Sequence, residues 1–385
     1  MVTVPAGPPK EGHDNLMTLR SRLRTRLFGL LILTIAIYSG ELSAKTVYVS
    51  TAGHDFNAGT LSNPYATIRK GISVLRSGDT LYLRGGRYVE SFDPYSQVLP
   101  NGTSWATATT ISAYPGETAT LVGSVVLSNQ AYLIFDGINI DGSSNGHDMA
   151  NFFINGSNHI RLTNAEIYNC QWSCISSDQS PTPGTFYEFT NLKIHDSGRQ
   201  GATPTGPSHG IYLSGRGSAV GGPVLIENCQ IYNNVSDPNS YGITIYTGAK
   251  DTLANITISN NVIRNNSYGM QIGQGNNHLV FNNVIKDNVG LGVEVAFGSP
   301  DNIRIYGNLI YGNGGHGIIV GDYGSPTNTL IKDNIIGRNG GNAVQLAGGV
   351  GSIVQSNVSY GNASGNTTSK PAGFVKDTAE HSHLR

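Results

Sequence analysis

The stretch "ISNNVIRNNSYGMQIG", Ile258 to Gly273, sets aliphatic side chains at alternate positions and fills the gaps with Asn and Gly. Alternating Ile, Val and Met build strands. Asn and Gly normally interrupt them. Both demands are met if the strands are very short and the Asn residues turn corners. The pattern recurs. "ITISNNVIRNN" from Ile256 aligns without gaps with "VLIENCQIYNN" from Val224, "IRIYGNLIYGN" from Ile303 and "TLIKDNIIGRN" from Thr329. After each unit comes a tetrad of Gly, aliphatic, any residue, aliphatic: "GIYL" at Gly210, "GITI" at Gly242, "GMQI" at Gly269, "GVEV" at Gly292 and "GIIV" at Gly317. "CISS" at Cys174 and "AVQL" at Ala343 extend the series at its two ends.

The tetrads begin at 174, 210, 242, 269, 292, 317 and 343, so successive units are 36, 32, 27, 23, 25 and 26 residues apart. Such spacing gives three short strands per turn with one corner of variable length. A unit this small cannot bury its own aliphatics, but stacked units bury them in one continuous core. Every strand then pairs in parallel with its equivalent one turn away, ~4.8 Å distant. Corner residues stack as well. A side-chain amide carries both a donor and an acceptor, so the column Asn261, Asn283, Asn308, Asn334, Asn357 is expected to form a ladder, interrupted by Cys229 one turn earlier. Asn and Gly also tolerate the left-handed backbone that tight corners require.

This pattern resembles the right-handed parallel β-helix of pectin-lyase-like proteins, from about residue 46 onward. The entry segment "VYVSTAGHDFNAGTLSNPYATIRKGISVLRSGDTLYLRGGRYVES" also resembles the start of many secreted β-helix proteins. The expected fold is all-β: a single-stranded solenoid of three short parallel sheets with an N-terminal capping helix. That helix would begin at Asn63-Pro64, bury Ile68, Ile72 and Leu75, and end at Gly78. The domain order reads as a preface over 1–16, a signal peptide over 17–44, an N-terminal cap and first turn over 45–104, the β-helix over 105–370, and a polar tail over 371–385. After Asn362 no further repeat is legible.

Composition narrows the function. The chain has 385 residues, 13% of them charged, and a formal net charge of -1. A nucleic-acid binder would show a basic face, so no nucleic-acid partner is expected. Arg20, Arg22, Arg24 and Arg26 precede an apolar run from Leu27 to Tyr38, and Leu42-Ser43-Ala44 offers a small-residue cleavage site. This is a signal-peptide pattern, and the run is shorter than the ~20 residues of a membrane span. Secretion or periplasmic export is therefore expected, with no membrane attachment after cleavage. Cys170, Cys174 and Cys229 are an odd number of thiols. Cys170 and Cys174 could pair across a bend, but three small buried residues is the favoured reading.

In the architecture this chain resembles, substrate lies along one sheet beside the long corners. By that resemblance the tetrad strands form the relevant sheet. Their outward residues are Ser176, Tyr212, Thr244, Gln271, Glu294, Ile319 and Gln345, with Asp178 and Tyr246 one step further along. The longest excursion, "SGRQGATPTGPSH" from Ser197 to His209, and the corner "SGRGSAVGG" flank this face, and such loops commonly carry a solenoid's function. The resemblance implies a polysaccharide or other glycan as partner, and a polysaccharide lyase acting by β-elimination on a uronate polymer. A base and a cation are then needed beside the carboxylate. The candidates are Arg199, Arg216 and Lys250 with Tyr212, and His209 as a group titrating near neutrality. Asp178, Thr244, Tyr246, Gln271 and Glu294 are candidate substrate contacts. A Ca²⁺ ion is possible, although Asp141, Asp148 and Asp178 are too scattered to define a site. A hydrolase would need two carboxylates ~5–9.5 Å apart, and Glu294 lies four turns from Asp178. The alternatives are a glycan-binding or adhesive module without catalysis, or a glycoside hydrolase. A second outward column, Tyr168, His195, Tyr232, Arg264, Lys286, Tyr311 and Tyr360, reads more simply as stacking between turns.

Overall fold

The computed structural model describes residues 1–3, 44–94, 98–144, 150–178, 186–199, 207–214, 222–246, 253–365, 367–368 and 375–376. The expected preface and signal peptide therefore lie almost wholly outside the described residues. From Lys45 onward the chain is one compact unit, a right-handed parallel β-helix. Its strands fall into three parallel sheets of 13, 11 and 10 strands. The first sheet runs from Thr46–Val49 to Val375–Lys376, the second from Gly86–Tyr88 to Val358–Tyr360, and the third from Val125–Ser128 to Thr367–Thr368. The tetrads all lie on the third sheet. Pairing continues past Asn362, where the repeat ceases to be legible: Thr367–Thr368 pairs with Val344 and Gln345, and Val375–Lys376 with Ile353 and Val354.

The opening stretch shows why each turn needs two Asn pairs. Ile258, Ile263, Met270 and Ile272 point inward and are fully buried. The first Asn of each pair, Asn260 and Asn265, takes the left-handed conformation, with φ of 57° and 54°. The second, Asn261 and Asn266, points inward and is buried. There the side chain joins a ladder. Asn283 Nδ2 donates to the carbonyl of Ile258 at 2.9 Å and to Asn308 Oδ1 at 3.0 Å, and the backbone N–H of Asn283 donates to the same Oδ1 at 2.9 Å. The expected column forms in this way, with Cys229 donating its N–H to Asn261 at its start. A second ladder one corner later was not anticipated: Asn234, Asn266, Asn288, Asn313, Asn339 and Asn362. The tetrad glycines have a different cause. A Cβ on Gly269 would press into the carbonyl oxygen of Gly292 in the next turn, so the close approach of successive turns excludes a side chain.

Two sequence expectations need correction. The capping helix α1 spans only Ile68–Ile72. Its first N–H groups are taken by two carboxylates outside the segment: Asp55 accepts from Ala66 and Thr67, and Glu90 accepts from Ile68 and Arg69. Upstream, Tyr65 bridges to Val49 as a strand residue, which prevents a helix from starting at Pro64. Ile68, Ile72 and Leu75 are buried as expected. The cysteines also differ from the favoured reading. Cys170 and Cys174 form a disulfide across a corner, their Cα atoms 5.2 Å apart, and only Cys229 is free and buried. The second outward column behaves as expected. Tyr168, His195 and Tyr232 stack at 5.7 and 4.5 Å, and Arg264 lies 4.5 Å over Tyr232.

Asn308→Ala should lower unfolding free energy by about 3 kcal/mol or more, because it removes the acceptor of two buried Asn283 donors and the Nδ2 donor to the Val280 carbonyl and Asn334 Oδ1. Asn282→Gly, at an exposed left-handed position (φ 56°), should change it by less than about 1 kcal/mol. Denaturant titration of the two variants checks the division of roles; equal losses would contradict it.

Candidate functional site

Backbone register decides which side chains share the outer face of the third sheet. Ser176 pairs with Tyr212, Tyr212 with Thr244, Thr244 with Gln271, Gln271 with Glu294, Glu294 with Ile319, and Ile319 with Gln345. The expected column is therefore in register. It is not a solvated face. Thr244, Gln271 and Glu294 are buried although they point away from the core, and Glu294 is only 2% exposed. Val293 and Val295 on either side of Glu294 face the core.

The cover comes from Tyr241, at the start of its strand. Its hydroxyl donates to Glu294 Oε2 at 2.5 Å, two turns further on. Gln271 Nε2 donates to the same oxygen at 3.1 Å, and Thr244 Oγ1 donates to Gln271 Oε1 at 2.6 Å. Burial pushes the Glu294 carboxyl above the ordinary range. Its hydrogen bonds from Tyr241 and Gln271 oppose that shift, while the nearby Asp322 charge adds to it. Burial, with the neighbouring carboxylate, likewise raises the Tyr241 phenol. The result is a connected chain of polar groups that can hold a proton on a carboxyl over the outer face.

His209 anchors this cover. Its Nδ1 accepts the N–H of Tyr241 at 3.0 Å, and its ring stacks on Tyr212 at 5.5 Å. Burial lowers its pKa to about 3. The expectation that His209 titrates near neutrality therefore fails: the ring has no water to stabilise an imidazolium, and Nδ1 is engaged as an acceptor. Tyr268 continues the aromatic row, stacked on Tyr241 at 5.0 Å. At the other ends of these strands, Tyr246 meets Phe297 edge-on at 6.3 Å, and Phe297 stacks on Tyr323 at 5.0 Å.

The remaining candidates divide. Arg199 is exposed, and its N–H donates to Cys170. The loop that carries it is pinned at its ends, Ser197 Oγ donating to the Ser208 carbonyl at 3.4 Å. Arg216 and Lys250 lie outside the described residues. The described strands that precede them end side by side, Tyr246 donating its N–H to the Leu213 carbonyl at 3.0 Å. Asp178 closes its strand opposite Asn155. Register puts it four strand spacings from Glu294, about 19 Å, so these two carboxylates do not cooperate. Tyr241, Phe297, Tyr323 and Asp322 were missed. One signal was available: His209, Tyr241, Tyr268 and His316 all precede a tetrad glycine, a bulky ring at the same point of several turns.

A calcium ion does not fit the described side chains. Among the described residues no three His, Cys, Asp or Glu side chains converge. Burial alone would raise the Asp141 carboxyl, but hydrogen bonds from Arg87, Asn169 and Ser143 hold it at about 2 and occupy its oxygens. Asp148 lies outside the described residues.

Comparison with known proteins agrees with this architecture. A family model described as a Pel9A-like right-handed β-helix region matches residues 47–242, and a right-handed β-helix region model matches residues 150–359. Pectate lyase PEL9 of Emericella nidulans is 26% identical over 184 residues, which is 48% of this chain and 42% of that protein. The chain thus matches less than half the length of this curated relative. Among solved structures, pectate lyase Pel9A superposes with a TM-score of 0.53 at 16% identity, covering 86% of this chain and 80% of that one. A complex of XylC with xylose gives 0.53 at 14% identity, covering 84% and 70%.

The pH dependence of stability should carry the mark of His209. Its folded pKa of about 3 is below the ordinary 6.5. Its contribution is therefore full above pH ~6.5 and is lost as pH falls toward about 3, at up to about 1.4 kcal/mol per pH unit. His209→Gln should flatten that limb of the stability profile. Glu294 acts in the opposite sense: a raised carboxyl favours the fold at low pH and loses that contribution as pH climbs through its folded value, a dependence Glu294→Gln should abolish. Unfolding free energies measured across pH for the three proteins check both; unchanged slopes would contradict the burial.

Proposed function

We propose that this chain, which belongs to the Pel9A-like right-handed β-helix family, is an exported carbohydrate-active protein that cleaves an acidic, uronate-containing polysaccharide by β-elimination. The observation that carries the reading is the track on the third sheet. Aromatic rings and a polar column follow one another along the solenoid axis, from His209 and Tyr212 to Phe297 and Tyr323. A straight track four strand spacings long, about 19 Å, suits a linear polymer rather than a compact metabolite. The relative named as a pectate lyase supports the acidic substrate.

In this reading the uronate lies beside the corners that open at Ser214 and Tyr246. Arg199, Arg216 and Lys250 supply the cation that spreads the carboxylate charge and the base that removes the adjacent proton. The glycosidic oxygen then leaves with the bond electrons and takes up a proton, and a carbon–carbon double bond forms in the sugar. Tyr212 stands at this end of the track. His209, neutral and buried, positions Tyr241. Tyr246 neighbours the sugars further along, Thr244, Gln271 and Glu294 support the track from beneath Tyr241, and the Asp178 strand borders it on the opposite side of Tyr212. Export accords with the basic and apolar runs before Lys45 and with the Cys170–Cys174 disulfide, a bond that persists in oxidising compartments. Among the described residues no helix is long and apolar enough to cross a membrane.

A second reading, glycan binding without cleavage, is favoured by one observation: Thr244, Gln271 and Glu294 already satisfy one another. The experiment that separates the two is ultraviolet absorbance of unsaturated uronate. Residues 45–385 are mixed with pectate, alginate, hyaluronan or chondroitin, with and without Ca²⁺. A rising signal with one polymer is expected, and Arg216→Ala and Lys250→Ala should each reduce it by about 100-fold or more without lowering Tm. A flat trace on all four, with the folded protein still retained on a polymer, would replace the lyase by the binding module.

A further inference from the structure

The far end of the track carries two exposed aromatic rings. Phe297 is 40% exposed and Tyr323 59% exposed; of the described aromatic residues only Phe56, near the N-terminus, joins them among the exposed large hydrophobic side chains. They stand in adjacent turns, joined by the Gly298–Gly324 bridge and a hydrogen bond from the Phe297 N–H to the Tyr323 carbonyl. Their rings are stacked at 5.0 Å with an interplanar angle of 24°. Tyr246 abuts Phe297 edge-on and leaves ring surface of the pair open to water.

The backbone of Phe297 adds an independent observation. Its φ is 70°, in the left-handed region. Nearby positions with positive φ are glycine, at 275, 321, 324 and 349, or asparagine, at 277, 302 and 328. A bulky aromatic residue is disfavoured there, and residues held in sparsely populated conformations cluster at functional sites. Folding alone would be better served by glycine at 297.

Charge defines the ligand. Asp322 lies between Ile319 and Tyr323 in the chain and close enough to Glu294 to act on its ionisation. Neither the segment 291–303 nor the segment 314–328, which form this part of the third sheet and its closing corners, contains a Lys or Arg. A uronate carboxylate placed here would meet the Asp322 carboxylate and, in these two segments, no Lys or Arg to offset it. An uncharged sugar would meet two flat apolar rings able to stack on the C–H face of a pyranose, with polar groups at the side.

We propose that Phe297 and Tyr323 form a stacking subsite for an uncharged pyranose ring, either a neutral sugar or a uronate whose carboxyl is esterified. The subsite rests on the proposed function, in that it takes a sugar of the same polymer whose charged uronate lies two to four strand spacings away, about 10–19 Å, beside the strand ends at Tyr246 and Ser214. The chain therefore selects a polymer in which charged and uncharged residues coexist, rather than one that is charged throughout.

Calorimetric titration tests this with oligomers of pectate, alginate, hyaluronan and chondroitin, each as the free acid and in partly methyl-esterified form. Wild-type protein should bind the partly esterified form of one polymer more tightly than its free acid. Phe297→Ala and Tyr323→Ala should each weaken that binding about tenfold and narrow the difference between the two forms. Phe297→Gly should weaken binding equally while keeping or raising Tm, which a purely structural ring would not do. Unchanged affinity in these variants, with wild-type binding intact, overturns the subsite alone, as does a fall in Tm for Phe297→Gly. Absence of wild-type binding to every oligomer removes the proposed function and the subsite together.

Discussion

A buried asparagine must find partners for both halves of its amide, and in this molecule the neighbouring turns supply them. From Asn283 to Asn357 each Oδ1 accepts from the side-chain amide and the backbone N–H of the Asn in the turn before, Asn261 Oδ1 accepts from the Cys229 N–H, and each Nδ2 also reaches a carbonyl of the turn before. A slip of one residue between two turns would leave these groups unsatisfied at once, on top of turning the aliphatic side chains outward. Two such ladders at successive corners lock the second sheet between them. Register elsewhere follows from this constraint, including that of the third sheet, whose outer face never contributes to the core.

The same stacking has a second effect outside the core. Because turns are one strand spacing apart, a side chain only one aromatic ring long can reach across two of them. Tyr241 does so to reach Glu294 and converts a polar sheet face into a covered one. The groups beneath lose their water, which is why burial dominates the ionisation of His209, Tyr241 and Glu294. A solenoid thus makes a low-dielectric environment on its outside without a second domain, wherever rings from successive turns overlap.

Family membership and activity rest on different parts of this chain. The family models match residues 47–242 and 150–359, a span that takes in the stacked strands and the corners between them. The candidate cations Arg199, Arg216 and Lys250 stand in the corners whose length varies from turn to turn. Solved relatives at 14–16% identity share the helix while their corners are free to differ. A shared fold does not by itself fix the chemistry that its corners carry.

What could be read from the sequence follows that division. The three-strand turn, the Asn261 column, the order of the tetrads and the outward series from Ser176 to Gln345 were all legible, because parallel stacking repeats one contact at one spacing and so writes a period into the chain. The second Asn ladder obeyed the same period and could have been found from Asn266, Asn288, Asn313 and Asn339 alone. The extent of α1, the Cys170–Cys174 bond, the reach of Tyr241 to Glu294 and the exposed Phe297–Tyr323 pair were decided only in three dimensions. Each depends on where a corner aims a side chain. That is set by a few backbone angles, such as the φ of 70° at Phe297, and by partners tens of residues away, and neither leaves a periodic trace. The sequence by itself determined how the turns stack, since stacking is a repeated local rule. The tertiary structure decided which outward groups are buried, paired or open to a ligand, since those contacts occur once each.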